Sequence, residues 1–144
     1  MTHPRQIMRE AVSARLAESL QNVFTSRAKP LFDQDLPAVL VYAGGEQIKR
    51  ERWDTDGQGP LWRDLEILVE CVDMGKDDLD NRLDALAESV ESALDGWDIP
   101  GYKNAVMRFT GTDMDMSIEG NKTYGAIRLA FTLTYITGTK NNAD

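Results

Sequence analysis

Apolar residues recur along this chain with two different periods, and the places where the period changes mark its elements. Ile7, Met8, Ala11, Val12, Leu16 and Leu20 fall one, three and four positions apart, which predicts an amphipathic helix from about Pro4 to Leu20. Thr2 is placed to cap it, and Arg5, Arg9, Glu10, Ser13 and Glu18 lie on its outer face. Val23 to Arg27 reads as a short strand, and Ala38 to Ala43 as a strand apolar on both faces, hence covered on both sides. Leu65, Ile67, Val69 and Cys71 alternate with Asp64, Glu66, Leu68, Glu70 and Val72, a strand with one apolar face. Leu79, Leu83, Leu86, Val90 and Leu94 then step by four, three, four and four, a second helix opened by Asp77 and ended by Gly96.

The connections carry their own signals. Pro30 and Pro37 bracket a loop, each fixing its own φ and extending the residue before it, so the loop is expected to be stiff. Gly44-Gly45 is either a hairpin turn or a bulge from which the strand continues, and the charged, turn-rich residues after it predict an exposed loop or hairpin tip over 44–60. Asn104 to Ile118 holds alternating runs, with Val106, Arg108, Met114 and Met116, broken by Gly111 where a bulge or tight bend is expected. Ala126 to Ile136 alternates Ile127, Leu129, Phe131, Leu133 and Tyr135 with smaller and polar residues, a strand by period and composition. The expectation is one α+β domain over residues 1–136 followed by a polar, disordered tail over 137–144. Two helices pack on one face of a mixed or antiparallel sheet of about five strands, in the order α-β-β-β-α-β-β.

Composition narrows what such a domain does. With 144 residues the chain buries roughly 70% of the surface its unfolded form exposes, enough for one core. Sixteen basic against 24 acidic residues give a net charge of -8, which repels a phosphate backbone and speaks against sequence-independent nucleic-acid binding. The first residues lack the apolar core of a signal peptide and no stretch approaches the roughly 20 apolar residues of a membrane span, so a soluble, intracellular protein is expected. Cys71 is the only cysteine, which rules out an internal disulfide and agrees with a reducing compartment.

Candidate chemistry is sparse. Nucleophilic catalysis needs a base beside the nucleophile, yet His3 is the only histidine and reads as an ordinary exposed side chain, while Cys71 falls on an apolar strand face where a thiol acts as a small hydrophobe. A zinc site lacks ligands. Asp113-Met114-Asp115-Met116-Ser117 opens like a calcium loop but has Ile118 at the sixth position and Tyr124 at the twelfth, where glycine and a bidentate glutamate are required. Asp54 to Gly59 supplies the glycine, but its twelfth position is Leu65. No phosphate-binding glycine fingerprint precedes a helix. Paired carboxylates of the glycosidase kind can be drawn from many Asp and Glu, but two helices on a sheet of this size leave little volume for a cleft. No catalytic residue, cofactor or metal is therefore assigned.

What stands out is a set of large or cationic side chains in connections. Arg27, Lys29 and Phe32 lie in the proline-bounded loop; Ile48, Arg50, Arg52, Trp53 and Trp62 lie in or beside the charged segment. Aromatics and arginine are enriched at interfaces, and loops on a rigid scaffold carry recognition, so these eight are the candidate intersubunit or partner residues. The alternative for each Trp, Trp97 included, is a lid over the edge of its own core.

The block Thr25 to Tyr42 has a family look: Arg27 two residues after Thr25, then Pro30-Leu31-Phe32-Asp33, then Asp35 before Leu36-Pro37-Ala38-Val39 and a strand ending in Val41-Tyr42. With a helix before it, an acidic loop after it, and a closing strand pair rich in Thr and Tyr, the chain resembles the tail terminator proteins of long-tailed phages, the family of lambda's minor tail protein U. The resemblance implies a non-enzymatic virion protein in the tail, assembled in the host cytoplasm. Such proteins form a hexameric ring that caps the tail tube, stops its growth and presents the surface for head attachment. The implied partners are copies of itself, the tail tube protein and a head completion or connector protein, with DNA passing through the ring unbound and no membrane involved. The net charge of -8 leads to the expectation of an acidic bore. Three alternatives stay open: another head-tail joining or tail completion ring protein, a small carboxylate-dependent enzyme, and a monomeric ligand-binding domain.

Overall fold

The computed structural model describes residues 3–25, 32–50, 59–102 and 104–138. Along them run helix α1 (Pro4–Ala17), strand β1 (Val23–Phe24), a 3₁₀ turn (Asp33–Asp35), β2 (Ala38–Arg50), β3 (Leu61–Met74), helix α2 (Leu79–Leu94), β4 (Val106–Glu119) and β5 (Lys122–Thr137). The five strands form one sheet in the order β1-β2-β3-β5-β4, with β1 parallel to β2 and every other pair antiparallel. This is the α+β arrangement expected, with a mixed sheet.

Both helices lie over one face of the sheet. Met8, Val12 and Leu16 of α1 and Leu79, Leu83, Ala87, Val90 and Leu94 of α2 share a core with the alternate residues Leu65, Ile67, Val69 and Cys71 of β3 and Ile127 to Tyr135 of β5. Central strands β3 and β5 pair in unbroken register from Leu61↔Thr137 to Met74↔Tyr124, so their alternation is preserved over their whole length. The opposite face is partly covered at one end, where Ala38 and Leu40 are buried, and otherwise presents Glu70, Arg128, Thr132 and Thr134 at partial exposure.

Several element ends differ from the expectation for identifiable reasons. His3, read as an ordinary exposed side chain, caps α1: its Nδ1 accepts from the Arg5 amide at 3.0 Å, one of the orphan donors of the first turn. α1 stops at Ala17 rather than Leu20 because its end tightens to Ser19 N–H bonding Leu16 O, and Asn22 at φ 55° turns the chain back. The cap residue of α2 is Asp78, at φ 62°, one position after the Asp77 expected. Within the segment expected as loop or tip, Glu46 to Arg50 are ladder residues paired with Leu61 to Leu65, so Gly44-Gly45 is a bulge from which the strand continues. These pairs lie on the exposed margin of the sheet, with β5 paired to β3 behind them, and a margin open to solvent needs no strict alternation, which is why their sequence looks like loop. Residues 51–58, most of the tail over 137–144, and 26–31 in the proline-bounded loop lie outside the described residues.

Two bulges decide which side chains face which way. In β2 the register advances three residues from Ala43 to Glu46 while β3 moves two, from Ile67 to Leu65. In β4 it advances two, from Phe109 to Gly111, while β5 moves one, from Phe131 to Ala130, as Gly111 led one to expect. One extra residue on a strand inverts the facing of everything beyond it. Glu46, Ile48 and Arg50 are thereby turned to the helix side, as are Met114, Met116 and Ile118.

Candidate interaction surfaces

The arm formed by the outer ends of β2 and β3, backed by the end of β5, is held by a charged network at its root. Glu46, with only 8% of its side chain exposed, accepts from Arg63 Nη1 at 2.7 Å, from Arg5 Nη1 at 3.2 Å and from the Tyr135 hydroxyl at 2.7 Å. Burial works to raise the Glu46 pKa, but the hydrogen bonds from Tyr135, Arg63 and Arg5 outweigh it and hold the carboxyl below its usual range. Burial first, and the bond to Glu46 second, push the Tyr135 phenol well upward. Arg63 also donates to Thr137 Oγ1 at 2.9 Å. The arm is thus tied to α1 and to the end of β5. Beyond this root lie Ile48 opposite Arg63, Lys49 opposite Trp62, and Arg50 opposite Leu61. Of the residues singled out from sequence, Ile48, Arg50 and Trp62 are brought together here, with Ile48 and Trp62 exposed and on opposite faces of the arm.

Phe32 is placed elsewhere. It precedes the 3₁₀ turn before β2, where its amide donates to Asp35 Oδ2 at 3.0 Å, and its ring is exposed. Ile48 lies ten residues along β2 from Ala38, roughly 33 Å at strand rise, so Phe32 and the arm are not one patch. Asp33, beside Phe32, reaches across to β5, where it accepts from Lys122 Nζ and from the Tyr124 hydroxyl, the latter at 2.9 Å. Those two bonds hold the Asp33 carboxyl below its usual range and raise both Lys122 and Tyr124. Arg27, Lys29, Arg52 and Trp53 lie outside the described residues. Trp97 packs partly buried against the core under the Arg15 guanidinium, 5.4 Å from its ring centroid, and so serves as a lid.

A third surface carries residues not picked as interface candidates. Met114, Met116 and Ile118, at 72%, 51% and 75% exposure, lie on the helix side of β4, Met114 and Met116 alongside the first half of α2, which does not cover them. The depression between α2 and β4, about 520 Å³ and open to solvent, has Ile127, Leu129 and Met114 in its lining and Asp84, Glu88 and Glu91 along its helical wall. It continues toward the α2 N-terminus past Asp80, Leu83, Asp115 and Met116. Lysine and arginine are absent from the residues lining either part. The alternation Met114-Asp115-Met116-Ser117-Ile118 is visible in the sequence, but it reads as a core strand. That α2 lies beside this edge strand without covering it is a tertiary fact.

Chemistry of other kinds finds little support among the described residues. Cys71 is fully buried, and burial followed by the neighbouring Glu70 charge pushes its thiol up to about 12. No group of three or more His, Cys, Asp or Glu stands in metal-binding array among them. No helix is long and apolar enough to cross a membrane. Polar partners on the open face are satisfied within the sheet: Arg128 pairs with Glu70 at 3.3 Å and Thr134 donates to Asp64 at 2.8 Å.

Sheet, one-sided helices and overhanging strand ends define a scaffold of the α+β class whose distinctive features are edges and arms. No known family profile matches the chain, nor does any curated relative. Among solved structures, a chain from the virion of a native gene transfer agent particle has this fold, with a TM-score of 0.57 at 16% identity, over 94% of this chain and 99% of that one. The likeness is one of fold and extends over nearly the whole of both chains.

Proposed function

We propose that this protein is a structural component of a virion, and within that class a tail terminator: a ring that caps the tail tube, stops its polymerisation and offers the surface on which the head is mounted. The observation that carries the reading is the near end-to-end correspondence of fold and length with a chain of the gene transfer agent virion. The resemblance of the Thr25 to Tyr42 block supports the narrower assignment. Its partners are then further copies of itself, the tail tube protein and a head completion or connector protein, with catalysis playing no part. Both sheet edges and the Ile48 arm supply protruding contact surfaces of the kind a ring needs, since a ring joins one patch to a different patch on the next subunit. The net charge of -8 suits a bore through which DNA slides without sticking.

Electron microscopy of tails assembled without the protein tests this. Tubes of uncontrolled length are expected. Tubes of normal length that fail to join heads would replace the terminator reading with that of a joining protein, and full infectivity without the protein would end both. A ring whose bore is lined with lysine and arginine would overturn the acidic-channel part alone.

A further inference from the structure

We infer that the open outer half of β4 takes up an extended, basic segment of a different protein as a sixth strand of the sheet, with apolar side chains and cation stems lying over Met114 and Met116 and positive charge meeting the acidic wall of α2. The inference concerns this margin alone and holds whether or not the chain terminates a tail.

Three observations lead to it. First, the backbone of β4 is covered at its start and open beyond. Gly96 N–H bonds Met107 O at 2.9 Å, Met107 N–H bonds Trp97 O at 3.1 Å, and Phe109 N–H bonds Asp95 Oδ1 at 3.1 Å. Met107 and Phe109 thus pack toward the core while turning backbone groups away from β5. Facing and hydrogen-bond direction alternate together along a strand, and past the bulge the pairing with β5 resumes. Thr112, Met114, Met116 and Ile118, opposite alternate residues of β5 from Leu129 to Thr123, therefore also turn N–H and C=O outward. No described strand lies on that side. Met114, Met116 and Ile118 combine exposed apolar side chains with outward ladder groups, the arrangement by which a sheet edge adds an extended segment.

Second, the margin selects for charge. Asp80, Asp84, Glu88 and Glu91 line the groove between α2 and β4 beside its apolar side chains, and lysine and arginine do not. These four follow one helical stripe, at steps of four, four and three, and so form a continuous wall. Asp113 and Asp115 stand on the opposite face of the same stretch of β4, and Arg128, paired in register with Asp113, is held by Glu70. A segment arriving at this edge meets carboxylates on both faces with apolar surface between them. Apolar residues alternating with lysine or arginine answer that pattern, because the long stems cover apolar surface while the charged heads reach the carboxylates.

Third, charge decides against this chain as its own partner. Pairing β4 with β4 of a second copy would set Asp113 and Asp115 against their counterparts and place both α2 walls on one face across the seam, and like charges directly opposite destabilise a sheet. Arg5, Lys49, Arg63, Arg82, Lys122 and Arg128 each already hold a carboxylate of their own chain. The complement comes from another protein.

Titration of the full chain with a fluorescent peptide of alternating lysine and valine, as long as the open edge, tests the assignment. Binding is expected, and it should weaken severalfold from 0.1 M to 1 M salt, as the Debye length shrinks from about 10 Å to about 3 Å. A peptide of alternating glutamate and valine should not bind. Asp84→Lys and Met114→Lys should each weaken the lysine peptide roughly tenfold. Glu10→Lys, at an exposed position of α1, changes net charge as much as Asp84→Lys and should leave binding nearly unchanged. Hydrogen exchange followed by NMR should slow at the Thr112, Met114, Met116 and Ile118 amides in the complex. No binding to a chain that circular dichroism shows folded, equal losses in Asp84→Lys and Glu10→Lys, or slowed exchange only elsewhere would overturn the proposal. So would exchange at those four amides that slows with protein concentration in the absence of peptide, since a second copy would then be covering the edge.

Discussion

The Tyr135 hydroxyl donates to Glu46 Oε2 at 2.7 Å, joining the end of β5 to a residue 89 positions earlier that a bulge has rotated toward the helices. Glu46→Gln keeps the shape and removes the charge that Arg5 and Arg63 answer, and Tyr135→Phe removes one donor. Each is expected to lower unfolding free energy by about 1–3 kcal/mol in urea titrations, Glu46→Gln the more.

The same carboxyl makes stability depend on acid. Its pKa in the folded chain lies below the ordinary value of 4.5, so the network contributes fully above pH 4.5 and its contribution is lost as pH falls through the folded value. Thermal melts between pH 7 and pH 3 should show the wild type losing Tm more steeply than Glu46→Gln below pH 4.5. Parallel acid limbs in the two proteins would contradict the assignment.

Asp33 fastens the turn before β2 to Lys122 and Tyr124 across the sheet; Asp33 and Lys122 are exposed and Tyr124 partly so. Exposed pairs contribute little to global stability. Asp33→Asn is therefore expected to leave Tm nearly unchanged while speeding hydrogen exchange at the Asp35 and Leu36 amides, which close the turn on Phe32 and Asp33.

Gly125 sits under the first turns of α2, where an added Cβ would lie 2.7 Å from Leu83 Cδ1 and 3.0 Å from Met116 Sδ. Gly125→Ala should destabilise by about 1–3 kcal/mol through overpacking. It should also push Met116 further out, which faster oxidation of that thioether by hydrogen peroxide, followed by mass spectrometry, would register.

Cys71 gives a simple check on the core. With its thiol buried and its pKa pushed up to about 12, it should resist a maleimide at pH 8 in buffer and react fully in guanidinium.

How much of this was legible beforehand depends on which forces act locally. Element order and the burial of Leu79, Leu83, Val90 and Leu94 follow from period alone, because one stripe of a helix must face the sheet. Leu86 is only partly buried while Ala87 takes the core position, as a period of 3.6 residues drifts across a broad stripe. The β2 arm was hidden by its charge, and His3 by being the lone histidine of a chain without catalytic partners. Interface candidates chosen for size and charge divide into Phe32 at one end of β2 and Ile48, Arg50 and Trp62 at the other. The apolar margin at Met114 to Ile118 needed knowledge of which strand lies at the edge of the sheet beside α2, which no local pattern encodes.

The extra residue between Phe109 and Gly111 has a consequence for how such a chain can vary. Loss of the single codon for Thr110 would close the bulge, because Phe109 and Gly111 already oppose consecutive residues of β5, and Met114, Met116 and Ile118 would keep the partners and the facing they have. A lineage could therefore shed that one codon and straighten the strand without exchanging its sticky border for a repelling one.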